Sequence, residues 1–443
     1  MAIKTATEIS GEELFRSQQM YKHPEVALMN TDLKFSEHDE TVLRRLAEKV
    51  SEIAAKPEME TKKQLWIDNH DLKTDSPVVF VDPENGWNEV LTEEVFECED
   101  PLARTWENIL RKDILSADTI RDDRVITANF DVPWYYTDDG YGIEPKIEYT
   151  DKKGGAYHVL PAIEDYDDDF EKLHFPKIEV DYAKTQEIMD LARRTFDGLL
   201  LPRMSMKWNW DDTLFCNYVQ LRGMEDFMCD CAVEPEWVSR MTNWFVDGSI
   251  ARFEEFEKAG LLSLNNDETY LGTGGQGYLS KLPAEGFDGK VRMKDMWVTL
   301  QAQETVSINP DQFGELILPA FIKLSEKFGY AHYGCCEPYN KRWKWLKQIP
   351  NLLHVSVSPW ADFSTVPELL GTDYIASVKL KPTPLAMPYM NEDNVRKDCR
   401  MAAEQTKGGV CEFIMKDNHT IGGDINHLVR WVEIMREEID RVY

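Results

Sequence analysis

The feature that most constrains this chain is an alternation of short apolar runs with longer segments carrying apolar residues at helical spacing, from about Thr185 to the C-terminus. A helix over residues 185–196 leads to a strand near 198–204. Pro235 opens a helix with Trp237, Val238, Met241, Trp244 and Phe245 at helical spacing. Residues 260–265 and 297–304 read as the next strands, and Asn309-Pro310 caps a helix that runs past Phe321 to Phe328. Later strands fall at Tyr330–Tyr333, 353–358, 374–380 and Val410–Met415, before a closing helix at about 425–439. Such repeats over roughly 260 residues predict parallel strands joined by crossover helices. The polar clusters fall just after strands, where a (β/α)8 TIM barrel collects its site, so the expected fold class is α/β with that barrel.

Upstream, Ser36 and Asp39, a capping-box variant, start a helix that runs through 41–55, with Val42, Leu43, Leu46, Val50 and Ile53 on one face and Pro57 ending it. Residues 1–75 therefore read as an N-terminal helical extension and 76–443 as the barrel, which opens on the buried strand Pro77-Val-Val-Phe-Val. Within it, about 131–181 is polar, aromatic and turn-rich, an insertion of hairpins and loops.

Charge narrows the partners. The 443 residues carry 50 Lys and Arg against 80 Asp and Glu, a formal charge of −30 that repels phosphodiesters and anionic membranes. No apolar run approaches the roughly 18 residues of a membrane span, and the first residues lack the apolar stretch of a signal peptide. A cytoplasmic location is expected, where the eight cysteines stay reduced and serve as core fillers, ligands or nucleophiles. The Gly-rich GTGGQG lacks the spacing of a dinucleotide or phosphate loop.

The most distinctive stretch is Ala331-His-Tyr-Gly-Cys-Cys-Glu-Pro, which sets His332, Cys335, Cys336 and Glu337 after a strand. With Cys411 on the last strand, these thiolates and an imidazole suit Zn²⁺, whose open position would act as a Lewis acid. Buried cysteines packing as small hydrophobes are the bland alternative. Glu304, at the end of the preceding strand, is a candidate acid/base or a helix-start carboxylate. Asp267 either serves catalysis or caps a turn. Trp134, Tyr135 and Trp208 could wall a pocket for a flat substrate or be ordinary core. Lys341, Arg342, Lys344 and Lys347 offer a docking face or a solvated helix.

From about Lys184 onward the chain resembles the uroporphyrinogen decarboxylase-like superfamily, in its corrinoid-linked methyltransferase branch. The carrying stretches are RGMEDFMCDCAVEPEWVSRM, KDMWVTLQAQETVSINPDQFGELILPAFIKLSEKFGYAHYGCCEPYNKRW, IPNLLHVSVSPWADF and GGVCEFIMKDNHTIGGDINHLVRWVEI. The resemblance implies a (β/α)8 barrel and zinc held by a His-x-Cys after one strand and a Cys on the last. His332 and Cys411 match, while Gly334 stands at the first Cys and Cys335-Cys336 follow it. Related enzymes use Glu with two Cys, a set Glu304, Cys335 or Cys336, and Cys411 would supply. The implied activity moves a methyl group from a methylated small molecule, best a methoxylated aromatic, to cob(I)alamin. The sequence has no cobalamin-binding D-x-H-x-x-G, so the cofactor would sit on a partner corrinoid protein. A homodimer is also compatible with the resemblance. Porphyrinogen decarboxylases carry an N-terminal Arg-rich substrate loop where this chain reads PVVFVDPENGW. The alternatives are a metal-free lyase using Asp267 and Glu304, and a non-catalytic corrinoid-handling barrel.

Overall fold

The computed structural model describes residues 33–74, 76–149, 157–206 and 214–443. Its strands are β1 (Val78–Val81), β2 (Asn129–Pro133), β3 (Tyr136–Asp138), β4 (Lys146–Tyr149), β5 (Tyr157–Leu160) and β6 (Ile178–Val180). They continue as β7 (Leu201–Ser205), β8 (Trp297–Leu300), β9 (Tyr330–Tyr333), β10 (Leu352–Val357), β11 (Ile375–Lys379) and β12 (Val410–Met415). Six of them form one parallel sheet in the order β1-β12-β11-β10-β9-β8, so the fold is α/β and the last strand lies beside the first. The insertion holds two antiparallel pairs, β4 with β5 and the longer-range β3 with β6.

The expected eight-stranded ladder is not formed among the described residues. β2 and β7 make a separate parallel pair. The segment expected as a parallel strand at 260–265 runs back along that pair instead. Trp134, beyond the end of β2, donates to the Leu261 carbonyl at 3.1 Å, and Met206 N, beyond β7, donates to Ser263 Oγ at 2.9 Å. Glu268 then accepts from Thr127 and Asn129 at the start of β2, both at 3.0 Å. Side chains take the place of strands at both sheet edges. Asn265 bonds the backbone N and O of Trp297 on β8 (2.9 and 3.0 Å). Asp123 and Asp122 accept from the N–H groups of Val79 and Val81 on β1, each at 2.8 Å. These bonds satisfy backbone donors that an open edge would leave exposed.

Two prolines act differently from the sequence expectation. Pro57 starts a second helix, Pro57–His70, directly after Glu37–Ala54, because the first helical position needs no N–H. Pro319 interrupts the helix that Asn309 caps, dividing it into Pro310–Leu316 and Leu318–Ser325.

Strand alternation sorts the sheet into two faces. Val79, Val81, Tyr333, Val355, Cys411 and Phe413 pack with Val366, Val395, Leu428 and Trp431 of the crossover segments. The opposite face carries Val78, Phe80 and Ile414, which pack with Trp66 of the helix Pro57–His70. His332, His354 and Glu412 share that second face by the same parity, and all three are fully buried. Among the described residues no helix is long and apolar enough to cross a membrane.

Candidate functional site

A cavity of about 770 Å³ opens at the C-terminal ends of β8 and β9. Gln303 and Glu304 line it after β8, Cys336 after β9, and Tyr157, Leu160 and Pro161 of the inserted hairpin form part of its wall. Glu304 sits in a tight turn, Gln303–Thr305, and its Oε2 is buried with no hydrogen-bond partner among the described residues. Burial pushes its carboxyl up to about 7, and the nearby Glu337 charge adds to the rise. The loop carrying Cys336 turns at Gly334, whose φ of +105° favours glycine. Glu337 locks that loop to the Glu304 turn: its buried carboxylate accepts from Ala302 N at 2.9 Å and Cys335 N at 3.0 Å. Cys335 and Cys336 are free thiols with sulfurs 3.6 Å apart. The S–H of Cys335 bonds Cys336 and lowers the Cys336 thiol, while that same bond and burial raise Cys335. The first thiolate of the pair therefore forms on Cys336, at the cavity wall.

The expected zinc shell does not fit this arrangement. Cys411 points to the helix-covered face, its sulfur 3.8 Å from the Thr406 carbonyl, because it is one residue out of phase with Glu412. His332 is engaged in the sheet interior: Nε2 lies 2.9 Å from Thr273 Oγ1 and 3.1 Å from the Gly334 carbonyl. Neither residue joins Cys335 and Cys336 in a convergent group of donors.

The other expected site residues are dispersed. Asp267 lines a separate cavity of about 800 Å³, where it pairs with Arg203 at 2.9 Å and accepts from Thr269 N at 2.9 Å, the turn-capping role. Trp134 packs on Tyr182, and Tyr135 belongs to the core around the N-terminal helices. Neither lines the Glu304 cavity, and Trp208 lies outside the described residues. The basic run is not a uniform docking face, since Arg342 is buried and donates to the Thr305 carbonyl while Lys344 pairs with Asp311.

What the sequence reading passed over is a buried polar line through the sheet interior. His70 Nε2 lies 2.5 Å from Glu412 Oε1, and His354 Nε2 lies 3.0 Å from Glu412 Oε2. His354 Nδ1 is 2.5 Å from His332 Nδ1. Burial, and then the neighbouring imidazole, hold His332 far below its ordinary value, so it is neutral. Burial alone would raise Glu412, but the adjacent His354 ring and the hydrogen bond from His70 keep it well below the usual carboxylate range. His70, His354 and Glu412 bring donor atoms within 4.8 Å of one another and can hold a metal. A lone His in LLHVSV and a lone Glu in VCEFIM are the signal: a buried ionisable group in an apolar strand needs a partner.

No family model and no curated protein matches the chain. Among solved structures, a methyltransferase from Methanosarcina mazei matches with a TM-score of 0.38 and 11% identity over 68% of this chain and 76% of that one. A likeness that slight carries no part of the functional argument.

Proposed function

We propose that this chain is a methyltransferase that moves a methyl group from a methoxylated aromatic to the cob(I)alamin of a separate corrinoid protein. The observation that carries it is Glu304, a carboxyl raised to about 7 with an unpartnered oxygen, in a cavity at the C-terminal strand ends. A volume near 770 Å³ lies in the range of small-molecule sites, and Tyr157, Leu160 and Val219 offer apolar and aromatic wall.

Cleaving an aryl methyl ether requires charge on the departing oxygen to be quenched as the C–O bond breaks. Glu304 holds its proton near neutral pH and donates it to that oxygen. The cobalt electron pair attacks the methyl carbon from the opposite side, forming the cobalt–carbon bond, and the phenol leaves. Glu304 then recovers a proton from solvent. Zinc would supply Lewis-acid polarisation of the same oxygen, but its expected ligands are apart and no step passes through it. The metal-free lyase reading is disfavoured because Asp267 and Glu304 line different cavities.

Incubating the purified chain with cob(I)alamin and a panel of aryl methyl ethers tests the reading. Phenol release matched by methylation of the cobalamin is the expected result. Specific binding of the corrinoid protein without methyl transfer would instead make the chain a corrinoid-handling protein and overturn the proposal.

A further inference from the structure

The hydrogen-bond pattern around His354 leaves two acceptors facing each other. The Gly334 carbonyl only accepts, so His332 Nε2, 3.1 Å away, is the protonated ring nitrogen. Thr273 gives its hydroxyl proton to the same carbonyl at 2.8 Å, and its oxygen receives from His332 Nε2. Two Nδ1 atoms 2.5 Å apart need one proton between them, and with one proton per imidazole and that of His332 engaged at Nε2, His354 Nδ1 is the donor. That tautomer leaves His354 Nε2 with a lone pair 3.0 Å from Glu412 Oε2. The two atoms are close but not aligned for a hydrogen bond, and each lacks a partner among the described residues. Two buried acceptors in contact repel unless a cation lies between them.

We propose that His70, His354 and Glu412 form a metal site for a divalent first-row ion of the zinc class, inside the sheet and apart from the cysteines. Ligand atoms on a tetrahedral zinc with bonds near 2.1 Å stand about 3.4 Å apart, comparable to the 3.0 Å between His354 Nε2 and Glu412 Oε2. Imidazole and carboxylate donors suit zinc, manganese or iron(II) more than copper(I). The outer partners are in place: His332 fixes the His354 ring, as second-layer acceptors do for metal-bound histidines. Asn69 Nδ2 donates to the Cys411 carbonyl at 3.1 Å, pinning the end of the helix Pro57–His70 to β12 beside Glu412. All three ligands are fully buried, and they come from the N-terminal helical pair, β10 and β12. The ion therefore clamps the helices onto the sheet rather than meeting substrate. This site is independent of the methyl-transfer reading and stands or falls separately.

Metal analysis of the full chain purified after growth with zinc, manganese and iron is the test. The expected result is roughly one divalent ion per chain, retained in the Cys335→Ser/Cys336→Ser double variant and lost at least tenfold in Glu412→Gln. Cobalt(II) substitution of the parent protein keeps the test decisive where Glu412→Gln fails to fold. Visible d–d bands without a thiolate-to-cobalt charge-transfer band place the ion among nitrogen and oxygen donors. A folded parent holding no stoichiometric metal would overturn the proposal and leave a proton between His354 and Glu412. A thiolate charge-transfer band, or metal lost with the two cysteines, would overturn it in favour of the mouth.

Discussion

Replacing Glu304 with Gln keeps the side-chain shape and removes a charge that its surroundings oppose. Burial, with Glu337 nearby, raises its carboxyl from 4.5 to about 7. Below pH 4.5 the group is neutral in folded and unfolded chains alike, and it costs folding nothing. Between 4.5 and about 7 the unfolded chain releases the proton first, so stability falls as pH rises and levels off above that window. A gap of about 2.5 between the two values corresponds to about 3 kcal/mol at 1.36 kcal/mol each. Solvent reaching the cavity wall screens part of this, leaving about 1–2 kcal/mol. Glu304→Gln is therefore expected to be more stable than the parent by about 1–2 kcal/mol at pH 8 and by only about 0.5 kcal/mol at pH 5. Urea unfolding at both pH values measures this through the midpoint, with the slope unchanged. An equal difference at pH 5 and 8, or a parent more stable at pH 8, would refute the environment assigned to Glu304.

Other consequences are equally direct. Cys411→Ala should cost about 1–2 kcal/mol of stability by leaving a small void under the crossover helices, yet leave metal content and turnover at parental values. Metal loss in that variant would contradict the outward placement of its sulfur. Iodoacetamide at pH 8 should alkylate Cys336 well before the buried Cys335, Cys399 and Cys411, as read by peptide mass spectrometry. Equal rates at Cys335 and Cys336 would show the thiol ordering to be wrong. A Cβ at Gly275 would lie 1.9 Å from the Trp66 ring. Gly275→Ala should therefore lower stability by about 1–3 kcal/mol. An unchanged Tm would contradict the close seating of the Gly-rich loop on that helix.

Local signals carried much of the fold. β9 and β12 fall at their expected bounds, since short apolar runs closed by polar residues leave little choice. Asn309 caps its helix as expected, its side chain accepting from Asp311 N at 2.8 Å. The direction of residues 261–268 was not legible, because hydrophobic periodicity is the same for a chain running either way along its neighbours. Position after a strand was a usable signal, since it sets Glu304 and Cys336 on one cavity. It failed where parity decided. Cys411 offers the softer donor, but Glu412, one residue on, is the side chain that faces His354. His70 was invisible locally, since its partner lies 342 residues away and is brought near only by β12 pairing with β1.

The central claim is that Glu304 gives a proton to the leaving oxygen during methyl transfer. The pH profile of kcat for methylation of cob(I)alamin by an aryl methyl ether, in the parent and in Glu304→Gln, tests it most directly. The account predicts a parental rate that falls above about pH 7, where the acid is lost, and a variant slower by about 10²-fold or more with that limb gone. A Glu304→Gln rate equal to the parent across the range, or the same alkaline limb in both, would contradict it.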